Sequence, residues 1–354
     1  MFSINSVILV MLLLCVGAVT LFKIESNPKA LPTIRLSDGY EIPAVGLGTF
    51  RARENDCEQA VKDAIDAGYR HIDSAYSYGN EKEVGNGVRA KIDEGVIERE
   101  DMFITTKLWN TFHDPADVPR AFQKSFDNLN LTYIDLYLLH WPVAYGKINK
   151  DGSNTPPTDI EDVVIRPFFD NGTYAAAEID YLDTWRAMEK LMENGKIRSI
   201  GISNFNSQQI DRLLSVATIK PVVNQVECHP NFNQHKLIKF CAARNITVTA
   251  YSPLGQPHNS DAVNLAINDP KIAEIAAAHN KLPSQVVLRY TYQNGAVVIP
   301  KSTHKDRIRS NIDIFDFELS QMEMEFIDGL NTNSRLVAFN HTIHDENYPF
   351  GIEF

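Results

Sequence analysis

Short apolar runs alternate with amphipathic stretches along most of the chain, and this alternation limits the possible folds more than any other feature. Eight runs predict strands, at 44–47, 69–73, 102–107, 134–140, 197–203, 222–227, 247–251 and 296–300. Helical patterns separate or follow them, at 54–67, 80–94, 118–129, 181–194, 207–216, 234–244, 270–279 and 284–293. An eightfold strand-then-helix order is the signature of a closed parallel (β/α)8 TIM barrel of the α/β class.

The barrel accounts for nearly all of the 354 residues. A rule of roughly one domain per 150 residues would suggest two domains, but the alternation indicates a single domain over residues 31–354. Asp38-Gly39 lies between two short apolar runs and predicts an N-terminal hairpin that plugs the barrel bottom. Irregular stretches at 140–180 and after Asn331 predict a loop over the barrel top and a long C-terminal loop.

Residues 1–22 predict a leader. An uncharged, mainly apolar run fills 7–22 and contains Val16-Gly17-Ala18, a small-residue cleavage site. The segment therefore predicts a signal peptide, or, if it stays uncleaved, a membrane anchor that is short against the roughly 20 residues a span needs. We expect the secretory pathway and secretion, with retention in the endoplasmic reticulum or another membrane as the alternative. Four Asn-x-Thr sequons agree with export, at Asn130, Asn171, Asn245 and Asn340.

Charge and cysteine content exclude several classes of partner. The net charge is −11, from 34 basic and 45 acidic residues, and no basic run could follow a phosphate backbone. We therefore expect no nucleic-acid partner. The four cysteines have no metal-ligand spacing and form no disulfide framework, so no metal site is predicted.

Four residues with acid–base chemistry follow predicted strands whose carboxyl ends form the mouth of the barrel, where the catalytic residues of such barrels lie. They are Asp73, Tyr78, Lys107 and His140. A tyrosine with an ordinary pKa of about 10 is a poor acid near neutrality. We expect a nearby lysine to lower that pKa, an aspartate to keep the lysine charged, and a histidine to orient a substrate carbonyl. Such a group suits protonation of an oxygen that is becoming an alkoxide.

Seven ordered blocks, together with the C-terminal YPFGIEF, resemble the aldo-keto reductase superfamily from about Leu31 to Phe354. They read GYRHIDSAYSYGNEKEVG, ITTKLW, YIDLYLLHWP, GISNFN, NQVECHP, YSPLG and IPKSTHKDRI. The resemblance implies that Tyr78 is the general acid, that Lys107 and Asp73 tune it, and that His140 orients the carbonyl. It also implies NADPH or NADP as the cofactor, because no side chain can donate a hydride.

The resemblance further implies a set of cofactor contacts. Ser203, Asn204 and Gln225 would hold the carboxamide, and Tyr251 would stack on the nicotinamide. The pyrophosphate would lie along Ser252, Leu254 and Gln256. The residues that would hold the 2′-phosphate of the adenosine are Lys301, Ser302, Thr303 and Arg307. Asn311 would lie beside the adenine, and Thr49 is a further implied contact of the cofactor. The letters of residues 85–90 match a dinucleotide-binding motif, but they lie in a helical pattern without a preceding strand, so we interpret the match as chance.

Three positions depart from the common pattern of the family. Ser310 and His258 stand where many members have acidic residues that affect the grip on the cofactor, and Phe50 replaces a frequent tryptophan. We still expect an apolar substrate wall. Its members, beside His140, would be Phe50, Trp109, Trp141 and Phe112.

These observations predict an NADPH-dependent reductase that converts an aldehyde or ketone to an alcohol. The chain resembles exported insect members that act on 3-dehydroecdysteroids, which suggests a steroid ketone as substrate. The alternative is a non-enzymatic NADPH-binding protein of the same fold. A hydrolase with paired carboxylates is disfavoured, because Asp73 and Glu227 have no carboxylate partner in register. We expect a monomer whose only partner is a small carbonyl compound.

Overall fold

A β-hairpin precedes the barrel in the computed structural model, which describes residues 31–152, 159–169, 173–257 and 265–354. Its strands β1 (Thr33–Arg35) and β2 (Glu41–Pro43) are antiparallel. Gly39 takes a φ of 96° in the connecting turn, a region that favours glycine. Leu36 and Ile42 are buried against residues of the barrel interior such as Phe103. The predicted plug at the barrel bottom is therefore present.

Eight parallel strands then follow in chain order, each hydrogen-bonded to the next. They are β3 (Leu47–Gly48), β4 (His71–Asp73), β5 (Phe103–Leu108), β6 (Ile134–Leu139), β7 (Ile197–Ser203), β8 (Val223–Glu227), β9 (Thr247–Tyr251) and β10 (Ala296–Val298). The first and last strands meet through Gly46 N–H to Val298 O at 2.9 Å and Gly48 N–H to Pro300 O at 3.1 Å. A Cβ on Gly48 would lie 2.8 Å from a backbone oxygen, so this seam needs glycine.

In the described ranges, ten α-helices connect the strands and follow the last one. They are α1 (Glu54–Asp66), α2 (Glu81–Asp93), α3 (Val118–Leu129), α4 (Tyr181–Leu191), α5 (Ser207–Leu214), α6 (His235–Ala242), α7 (Pro270–Ala278), α8 (Pro283–Gln293), α9 (Lys305–Ile312) and α10 (Gln321–Asp328). Local chemistry sets several ends: Asn206 and Gln209 form a capping box at α5, and Asn130 ends α3 in a left-handed conformation. Within the described ranges, no helix is both long and apolar enough to cross a membrane.

The predicted elements agree with the structure except at their ends. The first strand was expected at 44–47, but Ala44 and Val45 contribute only isolated pairing to β10, and the regular strand starts at Leu47. Helices α9 and α10 were not among the predicted helices. The predicted leader, the sequon at Asn171 and His258 lie outside the described residues.

The glycines of the chance motif have a packing role on α2. A Cβ on Gly85 would lie 2.0 Å from the carbonyl oxygen of Leu129, and one on Gly87 would lie 2.8 Å from Val61. These glycines therefore let α2 approach its neighbours closely, which supports the interpretation that they bind no dinucleotide.

Candidate active site

A buried ion pair lies at the carboxyl ends of β4 and β5. The Lys107 ammonium is 2.6 Å from Asp73 Oδ1 and donates to the Ser74 carbonyl at 2.7 Å. Neither side chain has more than 3% exposure. The other Asp73 oxygen accepts from Gln225 Nε2 at 2.7 Å. Charge balance and full hydrogen bonding make this pair tolerable in the interior, and together they fix the position of the ammonium.

The Tyr78 hydroxyl lies 3.4 Å from the Lys107 ammonium. Tyr78 is the last residue of a single 3-10 turn, Tyr76–Tyr78, that follows β4. Gly79 ends this turn in a left-handed conformation with a φ of 69°. A short turn after the strand thus brings the phenol back over the lysine of the neighbouring strand.

The pKa of Tyr78 differs from the sequence prediction. Burial raises this pKa well above 10.0, and the negative charge of Asp73 adds to the rise. Burial also lowers the pKa of Lys107, while Asp73 opposes that change. The expectation that Lys107 lowers the pKa of Tyr78 was wrong. Asp73 neutralises the ammonium, and the buried site disfavours any new charge on the phenol. The phenol is therefore fully protonated at neutral pH.

His140 follows β6 at the same mouth. Its ring meets Tyr78 edge-on with centroids 5.8 Å apart, and Trp109 with centroids 5.1 Å apart. Burial lowers the pKa of His140 well below 6.5, and the positive charge of Lys107 lowers it further, so the imidazole is neutral. Asn204 Nδ2 donates to the His140 carbonyl at 3.0 Å and holds this part of the backbone.

Four polar side chains from three adjacent strand ends form the predicted carboxamide pocket. Ser203 Oγ donates to the Gln225 carbonyl at 2.8 Å, and Asn204 Nδ2 donates to Ser203 Oγ at 3.1 Å. The Tyr251 hydroxyl donates to Asn204 Oδ1 at 2.8 Å. Asn204 has a φ of 63°, a strained conformation that side-chain bonds on both sides maintain. The resulting group of amides and hydroxyls can pair with another amide.

The predicted pyrophosphate segment leaves β9 with two left-handed residues, Ser252 at a φ of 48° and Gln256 at 52°. Gln256 Nε2 donates to Ser252 Oγ at 3.3 Å, which closes a small turn around Leu254. After β3, which only β10 separates from β9 in the closed barrel, Thr49 Oγ1 donates to the Asp73 carbonyl at 2.9 Å. Both segments thus lie at the mouth, as predicted.

The predicted 2′-phosphate group surrounds the start of α9. Ser302 and Asn311 are buried, Thr303 is half-buried, and Lys301 and Arg307 are exposed. Neither of these cations forms an ion pair with a carboxylate in the part of the chain that the structure describes, although Lys305 nearby pairs with Asp63 at 3.0 Å. Two unneutralised cations beside a serine hydroxyl fit a phosphate dianion. The residues present therefore fit NADPH.

The aromatic side chains predicted for the substrate wall come from three segments of the chain. Phe50 is 43% exposed, and its ring lies 5.0 Å from that of Tyr78. Trp141 stacks on Phe339 with centroids 3.8 Å apart. Trp109 donates from Nε1 to the Ile165 carbonyl at 2.5 Å, which fixes its indole against the loop over the barrel.

Phe112, the fourth predicted aromatic, is not part of this wall. Its side chain is fully buried and packs edge-on against Tyr76 with centroids 5.2 Å apart, so it belongs to the core.

The C-terminal loop closes the wall through residues that the sequence did not single out for this role. Glu227, fully buried at the end of β8, accepts from the backbone N–H groups of Leu336 at 2.7 Å and Val337 at 2.8 Å. The Arg335 guanidinium lies 3.4 Å from the centroid of the Phe350 ring. No sequence signal links Glu227 to this loop, which begins only after α10.

Asn80 was also missed. Its Nδ2 donates to the carbonyls of Thr49 at 2.9 Å and Ala52 at 3.0 Å, and its Oδ1 accepts from Ser74 Oγ at 3.0 Å. Asn80 therefore joins the segments after β3 and β4, and it positions Thr49 beside the buried pair.

The residues that were predicted to carry chemistry thus meet at one mouth. No cluster of three or more metal-ligating side chains occurs in the described ranges. A parallel barrel with a buried lysine–aspartate pair, a neutral phenol and unneutralised cations at its mouth has the groups that the expected oxidoreductase with a phosphorylated nicotinamide cofactor would need.

Comparison with known proteins agrees with that class. The model of the Aldo/keto reductase family matches residues 44–332. Aldo-keto reductase family 1 member A1-A of Danio rerio is 45% identical over 309 residues, which cover 86% of this chain and 91% of that protein. Estradiol 17 beta-dehydrogenase 5 of Mus musculus is 41% identical over 331 residues, covering 91% and 98%.

A solved structure extends the comparison to the cofactor. The aldo-keto reductase of Bombyx mori in complex with NADP has a TM-score of 0.79 and 40% identity, covering 90% of this chain and 99% of that one. The chain belongs to the aldo/keto reductase family. It binds NADPH or NADP and is an oxidoreductase for small carbonyl compounds.

Proposed function

We propose that this chain reduces an aldehyde or ketone with Tyr78 as the proton donor, and that its substrate is a steroid ketone of the 3-dehydroecdysteroid class. The observation that carries the mechanism is the contact between the Tyr78 hydroxyl and the Lys107 ammonium, which is itself held by Asp73. NADPH supplies the hydride when it is bound.

The residues of the chain manage the proton. The neutral Tyr78 phenol donates it to the carbonyl oxygen as negative charge develops there, so the oxygen ends as a hydroxyl and the tyrosine as a phenolate. Lys107, 3.4 Å away, stabilises this phenolate. The neutral His140 imidazole donates a hydrogen bond that orients the carbonyl. Each group thus interacts more strongly with the transition state than with the substrate.

The aromatic residues of the substrate wall support the proposal of a large, mainly apolar substrate. Phe50, Trp109 and Trp141 follow β3, β5 and β6 at the mouth, and Phe339 and Phe350 pack on Trp141 from the C-terminal loop. A four-ring steroid ketone offers more apolar area to such a surface than a short aldehyde does. The steroid name of the mouse relative points to the same class.

The test is NADPH oxidation, followed at its absorbance band, with short aldehydes, open-chain ketones and 3-dehydroecdysteroids. We expect turnover of all three, with the highest kcat/KM for the steroid. Turnover of aldehydes alone would contradict the substrate proposal and leave the mechanism standing. Absence of turnover with every carbonyl, in a protein that still binds NADPH, would favour the non-enzymatic binding protein of the same fold.

We also propose that the chain enters the secretory pathway through residues 1–22. The support is the apolar run and its small-residue cleavage site. Full-length protein expressed in insect cells should appear in the medium with an N-terminus near residue 18–22. Retention in a membrane fraction with an intact N-terminus would favour the anchor, and a soluble protein inside the cell would contradict both.

A further inference from the structure

Three of the four sequons lie in described residues, and the structure separates them by position. Asn130 lies in the turn between α3 and β6, and Asn245 in the turn between α6 and β9. Such helix-to-strand turns lie at the amino ends of the strands, on the face opposite the mouth. Asn340 lies in the C-terminal loop, beside Phe339 of the substrate wall.

Asn130 and Asn245 have the exposure and the backbone conformation that suit attachment of a glycan. Both residues are exposed, and both take left-handed conformations, with φ of 47° at Asn130 and 58° at Asn245. Among the described groups, neither side-chain amide has a hydrogen-bond partner. Arg89 donates to the backbone carbonyl of Asn130 at 3.1 Å and leaves the side-chain amide of Asn130 without a bond. Each turn thus projects an amide into solvent at a point where the chain reverses direction.

Asn340 is exposed as well, and it is the threonines of the three sequons that differ in burial. Thr132 is exposed, and Thr247 is half-buried at the start of β9. Thr342, by contrast, is fully buried, and its Oγ1 donates to the Phe339 carbonyl at 2.9 Å. A glycan on Asn340 would have to leave the surface at the edge of the aromatic wall, next to His341, which contacts the Tyr145 hydroxyl at 2.6 Å.

We propose that Asn130 and Asn245 are N-glycosylation sites and that Asn340 stays unmodified. The reaction transfers an oligosaccharide from a lipid-linked pyrophosphate donor of the host membrane to the asparagine Nδ2. A C–N glycosidic bond forms, the glycosyl–phosphate bond breaks, the amide loses one proton, and the lipid pyrophosphate leaves. The proposal rests on the export proposed above and is independent of the reductase chemistry.

The placement has a functional consequence. The six residues of β6 at about 3.3 Å each put Asn130 roughly 20 Å from the end of the strand that leads to His140. A hydrophilic glycan at that distance covers the barrel bottom and leaves the mouth open. We therefore expect glycosylated and deglycosylated protein to have the same kcat and KM for NADPH.

The experiment is expression of the full-length chain in insect cells, followed by peptide-N-glycosidase digestion in H₂¹⁸O and peptide mass spectrometry. Deglycosylation converts a modified asparagine to ¹⁸O-labelled aspartate. We expect the label at positions 130 and 245 and none at 340. In protein that has been exported, an unlabelled Asn130 or Asn245, or a label at 340, would overturn the proposal.

Matched variants and a second leader separate the causes of a failure. Thr132→Ala should remove one glycan, whereas Thr132→Ser keeps the sequon and should retain it. A parallel sample carries residues 23–354 behind an unrelated signal peptide. Glycans at 130 and 245 in this sample alone would support the sites and contradict export by residues 1–22. Their absence from both samples would contradict the sites themselves.

Discussion

The proton site and the substrate wall lie side by side at the mouth, but different parts of the chain build them. Asp73 and Lys107 stand on adjacent barrel strands, are buried, and hold each other at 2.6 Å. Trp141 and Phe339 stack at 3.8 Å but come from a loop and from the C-terminal segment, far apart in sequence. The chemistry therefore depends on the rigid barrel, while the selectivity depends on docking of the loops. Changes in the two regions should affect different kinetic constants.

The largest expected effect follows Lys107→Met. Carbonyl reduction should fall by about 10²–10⁴-fold, the usual contribution of acid–base assistance, because the phenolate would lose its stabilising charge. The variant also leaves Asp73 buried without its ion-pair partner, which should cost roughly 3–5 kcal/mol of stability. Steady-state kinetics and denaturant unfolding measure the two effects.

Lys107→Met combined with Asp73→Asn serves as the control for stability. This pair carries no unpaired buried charge, so its free energy of unfolding should recover while its activity stays low. Recovery of activity in the double variant would show that the lysine has only a structural role.

The next effect concerns the cofactor. Lys301→Met should weaken NADPH binding by about 10–100-fold, since a hydrogen bond to a charged group contributes roughly 1.5–3 kcal/mol. Binding of NADH, which lacks the 2′-phosphate, should barely change. Quenching of protein fluorescence measures both dissociation constants, and an equal loss for the two cofactors would contradict the phosphate assignment. Lys305→Met, at a lysine already paired with Asp63, is the matched control.

A smaller effect is expected in the wall. Phe339→Ala removes the ring that stacks on Trp141, and such a pair contributes about 0.5–1.5 kcal/mol beyond its area. KM for a steroid ketone should rise by roughly 3–10-fold, while kcat and the KM of a short aldehyde stay nearly constant. A fall in kcat with both substrates would show that the two regions are not independent.

The smallest expected effect is that of pH on kcat for carbonyl reduction. Reduction needs protonated Tyr78, whose pKa is raised well above 10.0, and neutral His140, whose pKa is lowered well below 6.5. Both forms persist between these limits, so kcat for reduction should be flat from about pH 6 to about pH 9. A fall in kcat as the pH rises through 8 would show that the phenol titrates lower than this environment implies.

The same contrast explains what the sequence could predict. The residues of the proton site follow strands with clear apolar patterns, so their meeting at one edge of the barrel follows from strand order alone. The sign of the Tyr78 pKa shift did not follow, because it depends on burial and on the neutralisation of Lys107 by Asp73, and both are three-dimensional quantities. Phe112 shows the same limit, since an aromatic residue near the mouth can belong to the core instead.

The clamp on the C-terminal loop shows why the wall was harder to predict. Glu227 and the backbone of Leu336 and Val337 are more than 100 positions apart, and no local pattern links them. Asn80 likewise acts by bonding backbone carbonyls, which accept from any donor and leave no trace in the residue pattern. Contacts of this kind become visible only when the chain is folded.

The most direct test of the account is the turnover of Tyr78→Phe compared with wild type, with NADPH affinity measured in the same samples. The variant removes one hydroxyl and keeps the ring that packs against Phe50. We predict that kcat for carbonyl reduction falls by at least about 10²-fold while NADPH affinity stays within roughly twofold. Turnover at the wild-type rate, with NADPH still bound, would contradict the assignment of Tyr78 as the proton donor.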